Sequence, residues 1–377
     1  MIGDIDVDTS NLDLRWENYV LGREDCRYGY GFDELISGAV SVTEKTVVVM
    51  GLGFDPRANI ALEQIAPLLD KGCRVLAVVP ERPTTVSRES ARQELNEERA
   101  VELAKMYSLD MKFLRPAPNS GDRRFVGLRL VRDLARRAEW SYDHVIIDVS
   151  SMPTSMFFAF ISAWLNNPIS GLQLQIVATE NHWLDDIIGD SGVETPRFIP
   201  GFAFHGEVND LPTSTRVWLP ILGRGKSAQI GEISAVLKPD EVCPIIPFPA
   251  LDPRRGDNLV NEYSTLLFEE NQADPKNFIH ADSSNPFDLY RSVVKMTRRY
   301  KSALKPLGDP VIVPSTHGSK LLSVGVLLAA HQESLSVINA GPQASKISAE
   351  VDDSAVAELL SRSRPTCMWL TGEPYVR

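Results

Sequence analysis

The stretch VIVPSTHGSKLLSVGVLLAA, Val311 to Ala330, decides how this chain reads. Val311 to Val313 is a short β-branched run of the kind found in buried parallel strands, and the apolar segment from Leu321 onward has the composition of a buried helix. Between them lies the small-residue turn Ser315-Thr316-His317-Gly318-Ser319-Lys320. A strand that runs through hydroxyl residues and a glycine into a helix gathers backbone N–H groups, hydroxyls and one ammonium at a single point. Such a point suits an anion, typically a phosphate. The plainer reading is that the hydroxyls cap a helix and Lys320 is solvated.

The same sequence of events occurs earlier, in VIIDVSSMPTSMFFAFISAWL, Val145 to Leu165. An aliphatic strand, a turn of small hydroxyl residues and an apolar helix follow one another again. Working outward, Lys45 to Met50 reads as a strand, Gly51 to Arg57 (GLGFDPR) as a turn and Ala58 to Leu69 as a helix. Strand, glycine turn and helix open a Rossmann-like unit. The turn lacks the third glycine of the dinucleotide fingerprint, so a nicotinamide cofactor is not expected. Strands follow at Arg74 to Val79, Met111 to Leu114, Val145 to Val149 and Leu172 to Ala178, with helices at Arg88 to Tyr107 and Phe125 to Ala138.

After a connection over Thr179 to Thr215 the pattern restarts. Arg216 to Leu222 is a strand, Gly223-Arg224-Gly225-Lys226-Ser227 a turn, and Ala228 to Leu237 a helix. Glu241 to Phe248, Asn277 to His280, Val311 to Val313 and Ser334 to Asn339 supply further strands, with helices at Asn258 to Glu270 and Phe287 to Leu304. A short acidic helix (Asp352 to Ser361) and an edge strand (Cys367 to Thr371) end the chain. Matching landmarks in the two halves, among them Gly51 with Gly223, Cys73 with Cys243 and Ile147 with Val313, are offset by 161 to 172 residues. The expectation is an α/β fold of two tandem Rossmann-like parallel-sheet domains arranged as an internal pseudo-dimer. Its divisions are an N-terminal extension over 1–44, packed onto the first domain, a first domain over 45–200 and a second over 201–377.

With 43% hydrophobic and 24% charged residues, the 377-residue chain has room for two cores. Its apolar runs fall short of the roughly 20 residues that span a bilayer. The acidic N-terminus lacks the features of a secretory signal, so a cytoplasmic protein without membrane association is expected. Cys26, Cys73, Cys243 and Cys367 form no C-x-x-C pair and read as reduced core residues. A net charge of −11 argues against bulk binding of duplex nucleic acid. A small anion held in a locally basic cleft remains open.

In an open parallel sheet, ligands bind outside the carboxyl ends of the strands. The loops expected there carry Arg57, Arg82, Arg115, Arg123, Arg124, Arg224, Lys226, Arg254, Arg255 and Lys320, a concentration of positive charge in an acidic protein. About half of these cations are expected to pair with nearby acids such as Asp55, Glu81 and Asp257 instead. The candidate ligand-binding set is Gly51, Gly53, Arg57, Ser150, Ser151 and Thr154 in the first half. In the second half it is Gly223, Arg224, Lys226, Ser227, Ser315, Thr316, Gly318 and Ser319.

The turn around Lys320 and the tandem arrangement resemble the CRISPR-associated Rossmann fold family and its double-domain relatives, sensors of cyclic oligonucleotide second messengers. That family carries a turn of the form D-[hydroxyl]-x-G-[ST]-K after its fourth strand. Here Ser315 to Lys320 fits it, with Pro314 where the acid is usual, while Asp148 to Thr154 keeps the acid without the glycine or the lysine. The resemblance implies a nucleotide-type ligand across the junction of the two halves, a separate effector protein, and a place in prokaryotic antiviral defence. Some members cleave their ligand without metal, which would cast His317 and Lys320 as catalytic. A scaffold with degenerate pockets is the third reading, and sensing is preferred over an enzyme. No cofactor or metal is expected. Glu180, His182, Asp185 and Asp186 form a possible metal cluster that reads better as solvated acids, and the loose R-x(4–6)-H spacing of Arg137 and His144 is taken as chance.

Overall fold

The computed structural model describes residues 13–24, 30–41, 43–80, 87–116, 122–136, 141–166, 170–203 and 206–375. In chain order its strands are β1 (Val20–Arg23), β2 (Thr46–Gly51), β3 (Arg74–Val78), β4 (Asp110–Leu114), β5 (His144–Asp148), β6 (Gln173–Glu180), β7 (Ile188–Ser191), β8 (Arg197–Phe198), β9 (Arg216–Ile221), β10 (Glu241–Val242), β11 (Ile245–Pro247), β12 (Ile279–Ala281), β13 (Val311–Thr316), β14 (Ile338–Asn339), β15 (Ala344–Ile347) and β16 (Arg364–Thr371). The chain divides into two compact units. The first comprises Asn18–Gly189 and Lys346–Arg377, the second Asp190–Ser345 with residues 13–17.

In the first unit the sheet order is β1-β16-β6-β5-β2-β3-β4. β6, β5, β2, β3 and β4 run parallel, and β16 and then β1 extend the sheet in antiparallel fashion. In the second unit the order is β12-β11-β9-β13-β14-β8, with β10 also on β9. All its pairs are parallel except β14 with β8. Numbered within each half, the parallel strands follow 3-2-1-4-5 in both sheets, the doubly wound order. β2 (TVVVMG) and β9 (RVWLPI) are buried from their second residue on, the signature of strands covered on both faces.

The same device packs the helices of each unit. In the first, Gly127 lies where a Cβ would stand 2.9 Å from Met156 Cα, bringing the helix Val126–Arg136 against Thr154–Leu165. In the second, a Cβ on Gly325 would stand 2.5 Å from the Pro286 carbonyl, so Lys320–Glu333 presses on Pro286–Leu304. Phe157, Phe158 and Phe160 of one helix and Val324 to Ala330 of the other are buried, as their composition predicts.

Three expectations are corrected. The C-terminal strand, expected at an edge within 201–377, is inserted between β1 and β6 of the first sheet, where Met368, Trp369 and Leu370 find cover. The N-terminal segment is divided. β1 and the helix Phe32–Val40 belong to the first unit, but Trp16 is fully buried in the second, edge-on to Tyr290 with ring centroids 5.4 Å apart. Tyr290 lies on the buried face of the helix Pro286–Leu304. Lastly, the strand expected over Ser334 to Asn339 shrinks to Ile338–Asn339, because Ser334 closes the preceding helix in a left-handed conformation (φ 53°).

Cys73, Cys243 and Cys367 are buried free thiols, and Cys26 lies outside the described residues. Among the described residues no helix is long and apolar enough to cross a membrane.

Candidate functional site

In a 3-2-1-4-5 sheet the chain leaves strands 1 and 4 in opposite directions, opening a crevice at their carboxyl ends. That point falls between β2 and β5 in the first unit and between β9 and β13 in the second. A glycine sits at each crossing. A Cβ on Gly51 would lie 2.9 Å from Ser151 Oγ and from Met152 Cγ, and one on Gly223 would lie 1.8 Å from the His317 carbonyl oxygen. Gly318 answers Gly223, since its own Cβ would come within 2.4 Å of Ile221 Cγ2. The paired turns picked out from the sequence therefore do touch, backbone to backbone, within each unit.

The first unit's crevice is closed by its own bonds. Ser151 Oγ donates to the Gly51 carbonyl at 2.6 Å. Ser150 donates through its amide, at 3.0 Å, and its hydroxyl to Asp148 Oδ1, and its Oγ accepts the Thr179 amide at 2.8 Å. The Gly53 carbonyl accepts Asn96 Nδ2 at 2.8 Å. Arg57, expected to hold an anion, is 5% exposed and bound on two sides: by Asp55 (Nη2 to Oδ2, 2.8 Å) and by Asp185 (Nη1 to Oδ1, 2.8 Å). Burial opposes its charge, yet Asp55, Asp185 and Glu180 together hold it well above the usual guanidinium value. Thr154 is the first residue of its helix and is partly buried. Asp148 is the unusual group. Its carboxyl is 1% exposed, its Oδ2 has no hydrogen-bond partner, and burial pushes its pKa up to about 6, against the pull of Ser150.

The second unit's crevice is built differently. Ser315 is fully buried and its Oγ accepts Trp218 Nε1 at 3.0 Å, which makes it part of the core. Ser319 caps the helix Lys320–Glu333 by accepting the Leu322 amide at 3.2 Å. Thr316 and His317 lie between these two. They are 5% and 7% exposed, and Thr316 Oγ1 and His317 Nε2 have no partner. Burial first, and neighbouring Lys226 second, push the His317 imidazole down to about 3, with Asp190 pulling the other way. The ring is neutral at physiological pH and stands ready as a hydrogen-bonding group rather than as a proton carrier.

The facing turn, Gly223 to Ser227, is held from below. Tyr263 donates its hydroxyl to the Gly223 carbonyl and accepts the Lys226 amide at 3.1 Å. Glu262 Oε1 accepts the Gly225 amide at 2.8 Å and the Ser227 hydroxyl at 3.4 Å. Lys226 Nζ is paired with Asp190, which also accepts Gln229 Nε2 at 3.0 Å.

Most of the expected basic rim is thus engaged internally. Arg115 pairs with Glu97 at 2.6 Å and Arg124 with Asp122. Arg224, Arg255 and Lys320 also have partners, while Arg254 is exposed. Arg82 and Arg137 lie outside the described residues, as does the Arg123 side chain. His144 is a core residue, its Nε2 3.0 Å from Gln175 Oε1. Of the acids around His182, Asp185 goes to Arg57, and among the described residues no group of three or more His, Cys, Asp or Glu side chains is arranged to hold a metal. Sequence reasoning did not reach Asp190, Glu262 and Tyr263, which stand 36 and 37 residues from the turn they support.

No family model matches the chain, and no curated protein matches it. Among solved structures, it is similar to a putative universal stress protein from Pseudomonas aeruginosa UCBPP-PA14, at 12% identity and a TM-score of 0.21 over 86% of this chain and 98% of that one. A functionally unknown protein from Pseudomonas aeruginosa PAO1 is similar at 12% identity and a TM-score of 0.22, over 87% and 98%. A cyclopropane-fatty-acyl-phospholipid synthase-like protein from Lactobacillus casei ATCC 334 is similar at 12% identity and a TM-score of 0.24, over 96% and 99%. Similarity at this level transfers no function to this chain.

Proposed function

We propose that the chain is a cytoplasmic recognition subunit that binds a small anionic ligand of nucleotide type at the ends of β9 and β13 and signals to a separate partner protein. The observation that carries the proposal is the pair of buried, unpartnered polar atoms, Thr316 Oγ1 and His317 Nε2, beside Lys226 and between two glycine-crossed turns. Buried polar atoms are almost always satisfied, and two unsatisfied ones on adjacent residues at a sheet crevice are accounted for by a group received there. Two helix N-termini, at Ser227 and Lys320, favour negative charge there. The low pKa of His317 supports binding over turnover. The resemblance of Ser315 to Lys320 to the turn of the CRISPR-associated Rossmann fold family supports a cyclic oligonucleotide as the ligand and antiviral defence as the setting.

The test is mass spectrometry of nucleotides released from the purified protein, followed by calorimetry with cyclic oligoadenylates. Tight binding of an unaltered ligand, weakened about tenfold by Lys320→Ala, is the expected result. Turnover abolished by His317→Ala would make the protein an enzyme instead, and an affinity that Lys320→Ala leaves unchanged would contradict the site.

A further inference from the structure

The long segment of the second unit runs from Asp190 to Ser345, and these two residues are bonded to each other, Ser345 Oγ donating to Asp190 Oδ1 at 2.7 Å. The other carboxylate oxygen accepts Lys226 Nζ and, at 3.0 Å, Gln229 Nε2. Asp190 is well covered, with 9% of its side chain exposed. It lies on β7, which pairs with β15, the strand that carries Ser345. The lysine of the candidate anion site is therefore held by the residue through which the chain enters the unit, and that residue is in turn held by the one through which the chain leaves.

A carboxylate and a phosphate compete for the same donors. Asp190 offers Lys226 one negative charge and leaves Thr316 Oγ1 and His317 Nε2 unanswered. A phosphate offers more charge and more acceptor oxygens, enough to take the ammonium and meet the hydroxyl as well. We infer that Asp190 is a built-in competitor: a phosphate-bearing ligand takes Lys226 from Asp190, and the freed carboxylate loosens the pairing of β7 with β15. The inference rests on the proposal that the ends of β9 and β13 bind an anion. Occupancy of the site is thereby converted into a change at the two strands where the chain passes between units, with no further domain needed to begin a signal.

Inorganic pyrophosphate is the probe, titrated by calorimetry into the full chain. Asp190→Asn keeps the bond from Ser345 but removes the competing charge, and it should bind pyrophosphate at least about fivefold more tightly than the wild type. Lys226→Ala should bind at least about tenfold more weakly. Should Lys226→Ala weaken binding while Asp190→Asn leaves it unchanged or lowers it, the competitor is disproved and the anion site stands. Failure of both the wild type and Asp190→Asn to bind would overturn site and competitor together. Hydrogen exchange on the wild type covers the case in which Asp190→Asn does not fold. The amides of residues 190–191 and 344–345 should exchange faster with pyrophosphate bound, and equal or slower exchange overturns the inference.

Discussion

The two units share a strand order and a glycine at the same crossing, and they differ in what faces that crossing. In the first, Ser150, Ser151 and Arg57 are bonded inward, Ser151 to the Gly51 carbonyl and Arg57 to Asp55 and Asp185, and the groups left over are an acid, Asp148, and the Thr179 hydroxyl. In the second, the groups left over are a neutral imidazole and a hydroxyl, next to a lysine. A buried carboxyl repels an anion, whereas an ammonium and a hydroxyl receive it, joined by a neutral imidazole in the tautomer that places its hydrogen on Nε2. On the proposed reading, one architecture supports a structural crossing in one unit and a receptive one in the other, and side chains rather than topology decide which.

The largest expected effect tests the crossings themselves. Gly223→Ala puts a methyl 1.8 Å from a carbonyl oxygen that cannot rotate away, and should cost about 3 kcal/mol or more. Gly51→Ala meets mainly side-chain atoms of Ser151 and Met152, which can turn aside, and should cost about 1 kcal/mol. Urea midpoints check both, and equal losses would show that the two crossings are packed alike.

Arg57→Ala comes next. It takes the guanidinium from Asp55 and Asp185 in a covered site and should destabilise by about 3 kcal/mol. Lys226→Ala, whose side chain is 28% exposed, should cost about 1 kcal/mol. A reversed order in chemical denaturation would mean that the structural and receptive assignments are exchanged.

The pH dependence separates the units. Asp148 titrates near 6 when folded and 3.8 when unfolded, so the folded unit keeps a proton that the unfolded chain has lost. Stability from this group falls as pH rises from about 4 to about 6, by up to about 3 kcal/mol. His144 in the same unit is pushed down to about 4 by burial, against its bond with Gln175, and contributes with the opposite sign over that window. In the second unit burial lowers both His317, to about 3, and His331, to about 4. Both contributions are complete above 6.5 and are lost as pH falls toward those values. Hydrogen exchange at pH 7 and pH 5 should show the second unit weakening in acid while the first changes little. Asp148→Asn should stabilise the first unit at pH 7.5 and leave its stability rising with pH between 4 and 6.

The smallest effect concerns the helix caps. Ser319→Ala removes a side-chain cap and should cost about 1 kcal/mol. Thr154→Ala, in a helix that Pro153 begins without a side-chain cap bond, should stay within about 0.5 kcal/mol. Thermal melts distinguish the two.

The strands flanking each crossing were legible because parallel strands covered on both faces read as unbroken aliphatic runs, as in Val47 to Met50 and Val145 to Ile147. The place of Arg364–Thr371 was not, since its pattern identifies a strand without naming the neighbours it will take. Trp16 shows the same limit: its burial against Tyr290 depends on a partner more than 270 residues away. At the site, glycines and hydroxyls announced the turns, and hydroxyls ahead of an apolar helix announced a cap. The pairing of Arg57 with Asp55 was among those expected. That Ser315 would be bonded inward, that Asp185 would join Asp55 on Arg57, and that Asp190 would reach Lys226, depends on which side chains the folded loops bring together, and no local pattern encodes that.

Hydrogen exchange of the full chain with and without saturating pyrophosphate tests the central contrast most directly. The account predicts slower exchange at residues 223–227 and 316–320 of the second unit, with residues 51–57 and 150–154 of the first unchanged. Protection confined to the first unit's turns, or absent from both, would contradict it.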